Sequence, residues 1–261
     1  MKPLDIPGLV VAVDGPIGRV MLDRPDKLNA LSVDLLRGLV EAARWFDAQP
    51  GVKVVTVTGA GRAFSAGFDL DGFTDSRLPM RRIADLGRAM AEAVTDMSAV
   101  TVVGVHGRCV GGGLVLAASC DLRLAADNAV FSIPEVDLGI PLAWGGIPRL
   151  VREIGPALTK ELVMTCREFS PAEAAAAGLV NRVVPAADLA GAVEELAGQL
   201  STKSTLTLTA TKSHVNAAAE DLVSSGSGRR DRDVLVSAVN DPESRASARA
   251  YLERLGRDKA R

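Results

Sequence analysis

"GRCVGGGLVLAASCD", residues 107–121, sets three successive glycines, Gly111, Gly112 and Gly113, against an apolar run. Glycine costs about 1 kcal/mol relative to alanine inside a helix, so three of them where a helix is about to begin need a reason. A tight turn requires one or two. Three let another molecule approach the backbone closely, where the first turn of a helix leaves its N–H groups without intrahelical acceptors. Such groups can cradle a phosphate or meet a developing oxyanion; close packing alone is the other explanation. Neither GxxxxGK[ST] nor GxGxxG spacing is present, which counts against a phosphate loop.

The stretch is one of three similar passes. "VKVVTVTGAGRAFSAGFDL" (52–70) is an apolar strand running into a glycine-bearing loop, "VTVVGVHGRCVGGGLVL" (100–116) repeats the arrangement, and "DLRLAADNAVFSIPEVDLGI" (121–140) has two short strands before its loop. A helix is expected between the first two, from Met80 to Met97. Repeated strand–loop–helix units predict an α/β protein of stacked β-layers wrapped by helices. The nearly continuous apolar strands suit burial on both faces.

Ahead of these, "LVVAVDGPIGRVMLD" (9–23) reads as a hairpin with a Gly-Pro turn, and "LSVDLLRGLVEAARWFDAQ" (31–49) as a helix capped by Ser32. Beyond about residue 186 the pattern becomes helical. "SSGSG" (224–228) is a loop or hinge, and two helices are expected on either side of Asp241-Pro242. From residue 229 onward nine Arg/Lys stand against six Asp/Glu. That excess fits a solvated helix face, or contact with an anionic ligand or a neighbouring subunit.

Bulk properties exclude several classes. The chain has 261 residues and a formal net charge of −2, which gives no reason to expect nucleic acid or an anionic membrane as partner. Three irregularly placed cysteines, Cys109, Cys120 and Cys166, do not make a disulfide framework, and two histidines without a CxxC pair do not make a zinc site. The N-terminal residues lack a signal-peptide pattern and no run is long enough to span a membrane, so the expected compartment is the cytoplasm.

Five segments occur in order: "LDRPDKLNAL" (22–31), "GRAFSAGFDL" (61–70), "VHGRCVGGGLVLAASCDLRLA" (105–125), "FSIPEVDLGI" (131–140) and "EAAAAGLVNRVVP" (173–185). Together they resemble the enoyl-CoA hydratase/isomerase family, the crotonases, over essentially the whole chain. The resemblance implies a spiral of ββα repeats over residues 1–200. It also implies a C-terminal helical region, 201–261, that builds trimers or hexamers and adds CoA contacts. It assigns the oxyanion hole to the backbone N–H groups of Phe68 and Gly112, where the helix macrodipole favours negative charge, and the catalytic acid/base to Glu135. Apolar neighbours Ile133, Val136, Leu138 and Ile140 should raise the pKa of that glutamate. Candidate contacts to coenzyme A are Lys27, Leu28, Ala30, backbone groups of Ala66 and Asp69, and Tyr251 and Arg254, the last two often acting on the neighbouring subunit in the family. Coenzyme A is part of the substrate, and neither a separate cofactor nor a metal is expected.

The chain departs from the family pattern at two places. Hydratases carry a second glutamate two residues after the third glycine; here that residue is Val115. Hydration uses two carboxylates to hold and activate water, whereas moving a double bond from the 3- to the 2-position can use one, so the loss favours isomerisation with hydration close behind. A dienoyl isomerase would have aspartate at position 143, where this chain has alanine. Trp144 is expected to line an acyl pocket or pack in the core. Asp137, two residues from Glu135, should face the other way along an extended loop. His106 is read as structural. A CoA-thioester hydrolase and a weakly catalytic acyl-CoA-binding homologue are the alternative readings.

Overall fold

The computed structural model describes residues 4–69, 78–224, 226 and 230–259. Strands β1 (Leu9–Asp14) and β2 (Ile17–Leu22) form the expected antiparallel hairpin, turning through Gly15 at φ +56°. Helix α1 (Val33–Asp47) follows, its N-terminus capped by the Ser32 hydroxyl, which accepts from the Leu35 N–H at 3.2 Å. One face of α1 buries Leu35, Leu36, Leu39 and Phe46; burying such a side chain is worth about 1.5–3 kcal/mol relative to leaving it exposed.

The three passes form two sheets. β3 (Val54–Gly59), β5 (Val100–Val105) and β7 (Leu122–Ala126) join the hairpin and β9 (Arg182–Val184) in one sheet of order β1-β2-β3-β5-β7-β9. All its pairings after the hairpin are parallel. The short strands β4 (Ala63–Ser65), β6 (Arg108–Val110) and β8 (Val130–Ser132) stack as a second, parallel sheet. Each pass therefore gives one strand to each layer and then a helix: α2 (Met80–Asp96), α3 (Gly112–Ser119) and α4 (Gly146–Thr165). This is the expected ββα spiral.

Both faces of the larger sheet are covered, so β5 is buried along its whole length. The main core lies on the side of α1, α2 and α3; on the other, Val54, Val102 and Leu124 pack against Leu189, Val193 and Ala197 of α6 (Leu189–Ser201). Between α4 and β9 lies the short α5 (Pro171–Ala176). Helix α7 (Thr205–Leu222) has no buried residue, and Leu206, Val215 and Leu222 point outward. Helices α8 (Asp231–Asn240) and α9 (Pro242–Lys259) break at Asp241-Pro242 as expected. Of the 224–228 loop, only Ser224 and Gly226 fall within the described residues. Among the described residues no helix is long and apolar enough to cross a membrane.

Candidate functional site

The loop after β4 docks on the segment ahead of α1. Leu31 N–H donates to the Gly67 carbonyl at 2.7 Å, and Asp69 N–H donates to the Leu31 carbonyl at 3.1 Å. In such a parallel bridge the central residue, Phe68, turns its own N–H away from Leu31. The Ser65 hydroxyl fixes the bend: it donates to the Asn29 carbonyl at 2.9 Å and accepts from the Gly67 N–H at 3.2 Å. Gly67 sits at φ +89°, and a Cβ there would come within 2.8 Å of the Val110 carbonyl and 3.6 Å of the Gly112 nitrogen. The two glycine loops thus touch through backbone.

The second loop is formed by β6 running into α3. Gly111 lies at φ +48°, ψ −114°, a conformation suited to glycine. Its N–H donates to the Ser132 carbonyl at 2.9 Å and its carbonyl accepts the first helical bond, from Val115. Gly112 is the first residue of α3, so its N–H has no acceptor within the helix. Gly113 presses on Ser65, where a Cβ would stand 2.7 Å from the serine Cβ. Each glycine of the triplet has its own reason: a strained turn, a helix end facing a cavity, and contact with the neighbouring loop.

Glu135 follows β8 in a turn held by Leu138 N–H to the Pro134 carbonyl (3.0 Å) and Ile140 N–H to the Glu135 carbonyl (2.9 Å). Its carboxyl group points inward, with Oε2 buried and without a hydrogen-bond partner. Burial pushes the group up to about pKa 7. Of the expected apolar wall, Ile140 lines the site, Ile133 is buried in the core, Leu138 is half-buried, and Val136 is turned outward and exposed.

Phe68, Gly112, Val115 and Glu135 line one small cavity of about 40 Å³, bounded by Trp144, Ile83 and Leu235. Glu135 is the only titratable side chain in that lining among the described residues. Val115 is buried on α3 beside Gly146. Trp144 meets Phe68 edge to face, with ring centroids 5.8 Å apart, and so combines the two roles open to it: pocket wall and core.

The CoA candidates at the first loop come together. The Ala66 N–H donates to the Leu28 carbonyl at 2.9 Å; Leu28 lies at φ 49°, Ala30 is buried and Lys27 is exposed in the 3-10 turn 25–27. The amides of Ala66 and Asp69 are occupied inside the protein, so these two N–H groups are not the backbone groups open to a ligand, and the buried Asp69 carboxylate pairs with Arg24 at 2.9 Å. Tyr251 and Arg254 lie against the Glu135 loop of their own chain. Arg254 stands over the Tyr251 ring at 5.6 Å and pairs with Asp137 at 3.0 Å; the loop that carries Asp137 is a turn and not the extended segment expected. His106 serves structure, its Nε2 donating to the Gly61 carbonyl at 2.9 Å.

Some supports were not visible in the sequence. Asn29, fully buried at φ 54°, accepts from the Arg24 N–H (2.9 Å) and donates to the Ala60 and Ala63 carbonyls (2.8 and 2.7 Å). Asp231, from α8, accepts from the Gly145 N–H at 3.1 Å beside Trp144. Only the asparagine had a local signal, since it tolerates the left-handed region better than most residues.

Comparison with known proteins agrees with this geometry. The family model for enoyl-CoA hydratase/isomerase matches residues 13–258. A probable enoyl-CoA hydratase, echA8, of Mycobacterium bovis is 35% identical over 218 residues, covering 84% of each chain. A carnitinyl-CoA dehydratase of Salmonella paratyphi A is 36% identical over 214 residues, 82% of each. The crystal structure of an enoyl-CoA hydratase from Mycobacterium avium subsp. paratuberculosis superposes with a TM-score of 0.87 at 26% identity, over 96% of this chain and 97% of that one. A ββα spiral with paired glycine loops, a buried glutamate and these relatives lead to one conclusion: the chain belongs to the enoyl-CoA hydratase/isomerase family.

Proposed function

We propose that the protein acts on enoyl-CoA thioesters through an enolate, with Glu135 as its single acid/base, and that double-bond migration is favoured over hydration. The observation that carries this reading is the pocket itself: one buried carboxyl group raised to about pKa 7, facing an apolar cavity in which Val115 occupies the position of a second acid. A base poised near neutral pH can both take and return a proton.

In the proposed reaction the thioester oxygen lies between the amides of Phe68 and Gly112. Glu135 removes a proton from C2 of a 3-enoyl-CoA, the C2–H electron pair forms the C1=C2 bond of a dienolate, and charge collects on the held oxygen; the C3=C4 pair then takes up the proton at C4 as the carbonyl and the C2=C3 bond form. Return of the proton at C4 leaves the 2-enoyl product. Preorganised N–H donors stabilise the intermediate, each worth a factor of about 10²–10³ in rate. The CoA portion runs past Lys27, Leu28, Ala30 and the Ala66 carbonyl, with Tyr251 and Arg254 on the far rim. The outward apolar residues of α7 support assembly into a homo-oligomer, since an exposed apolar face is usually an interaction site.

The test is to assay wild type and Glu135→Gln with 3-enoyl- and 2-enoyl-CoA while following free thiol. Turnover of 3-enoyl-CoA that disappears in the variant, without thiol release, supports the reading. Faster turnover of 2-enoyl-CoA to the hydroxyacyl product makes the protein a hydratase, and thiol release makes it a hydrolase.

A further inference from the structure

Trp144 has a backbone that tryptophan rarely adopts. It lies at φ 61°, followed by Gly145 at φ 69°; a bulky residue in the left-handed region is a genuine outlier. Such strain persists only where the surroundings over-determine it, and it gathers at functional sites. The surroundings here do so from both sides of Gly145. Its N–H donates to the Asp231 carboxylate at 3.1 Å, and its carbonyl accepts from the buried Arg149 guanidinium at 3.1 Å.

What this turn achieves is the placement of the indole. A Cβ on Gly87 of α2 or on Gly112 of α3 would overlap the Trp144 ring. Both helices have given up a side chain where the ring lies, so it bears directly on their backbones. Behind it is α2, and beside it stand Ile83 and Leu235. The cavity that begins at Glu135 and Gly112 therefore ends at a fixed wall among the described residues.

We infer that Trp144 sets acyl-chain length, restricting the protein to short, uncharged acyl groups, and that Asp231 is a positioning residue that holds the indole in place from the C-terminal helices. This rests on the acyl-CoA reading above. The lining beyond Glu135 carries no charged side chain among the described residues, so it offers nothing to a charged acyl tail, whose desolvation would go uncompensated.

The experiment is binding, so that it needs no turnover. The saturated thioesters butyryl-CoA and octanoyl-CoA are titrated calorimetrically against wild type, Trp144→Gly and Asp231→Ala; glycine is chosen because it accepts the backbone conformation. An open apolar pocket gains about fourfold in affinity per methylene, which over the four extra methylenes is of order a hundredfold. Wild type is expected to gain less than about threefold or to lose affinity. Trp144→Gly is expected to favour octanoyl-CoA by more than about tenfold, with Asp231→Ala shifted the same way by a smaller factor. A merely structural role for Asp231 would weaken both ligands alike.

A second readout guards against misfolding. The chain has two tryptophans, so in a Trp45→Phe background the emission reports on Trp144 alone, and butyryl-CoA should shift it. Wild type gaining affinity with every methylene, or Trp144→Gly folding and binding both chains as wild type does, overturns the inference while leaving the acyl-CoA reading intact. Failure of wild type to bind either thioester removes both.

Discussion

Gly111 leaves the space that the Glu135 carboxyl group occupies: a Cβ on Gly111 would overlap Oε1. The first glycine of the triplet and the sole titratable group of the cavity among the described residues are therefore one unit, although they are 24 residues apart in sequence. Gly111→Ala should displace the carboxyl group and strain a backbone suited to glycine. We expect a loss of stability of about 2–4 kcal/mol in urea denaturation and at least a hundredfold loss of kcat with 3-enoyl-CoA, about the size of an acid/base contribution.

Burial of Glu135 gives a pH signature in stability. Its folded pKa is about 7 against an ordinary value of 4.5, so between those values the folded state holds the extra proton and stability falls as pH rises. The penalty is absent below about pH 4.5 and complete above about pH 7, where it reaches at most about 3 kcal/mol. Glu135→Gln should thus be more stable than wild type at pH 8 and indistinguishable from it at pH 4, as read by denaturant midpoints. An unchanged midpoint difference across that range would show that the carboxyl group is not desolvated.

The same group should shape the rate. As a base Glu135 must begin ionised, so kcat/KM for isomerisation is expected to rise with pH through about 7 and then level off. A profile already flat from pH 5 upward would contradict the raised pKa.

Val115→Glu restores a second acid on α3. We expect the ratio of hydration to isomerisation to rise by tenfold or more, measured with matched 2-enoyl and 3-enoyl substrates. It should come with a lower Tm, because the side chain enters a buried, apolar position beside Gly146. An unchanged ratio in a folded variant would mean that the missing acid does not decide the reaction.

Asn29 joins the 22–31 segment to Ala60 and to Ala63 at the start of β4 with two hydrogen bonds, and accepts a third from Arg24 within its own segment. Asn29→Ala leaves buried partners unsatisfied and should cost about 3–5 kcal/mol. Asn29→Gly should be milder by about 1 kcal/mol, because it relieves the left-handed backbone. Equal effects would place the whole contribution in the hydrogen bonds.

Much of this architecture was legible because its signals are local. The three passes could be read from apolar strands and glycine loops, and the helix start at Gly112 from the triplet itself. Glu135 was legible through the segment around it. What escaped depends on contacts between distant parts of the chain. The Arg254–Asp137 pair joins residues 117 apart, and Gly145–Asp231 joins residues 86 apart. Nothing near Trp144 in sequence reports its left-handed backbone, because the constraint comes from α8, α2 and α3. Asp69 could be placed beside the first loop but not assigned its partner Arg24, since charge alone does not reveal which of many cations folds back onto it.

The isolation of the Glu135 carboxyl group has an isotopic consequence. A nucleus held on Oε2, which is buried and has no hydrogen-bonded neighbour among the described residues, has no relay through that oxygen by which to trade places with those of bulk water. Deuterium placed at C2 of a 3-enoyl thioester should accordingly reappear at C4 of the product, and little of it should be washed out.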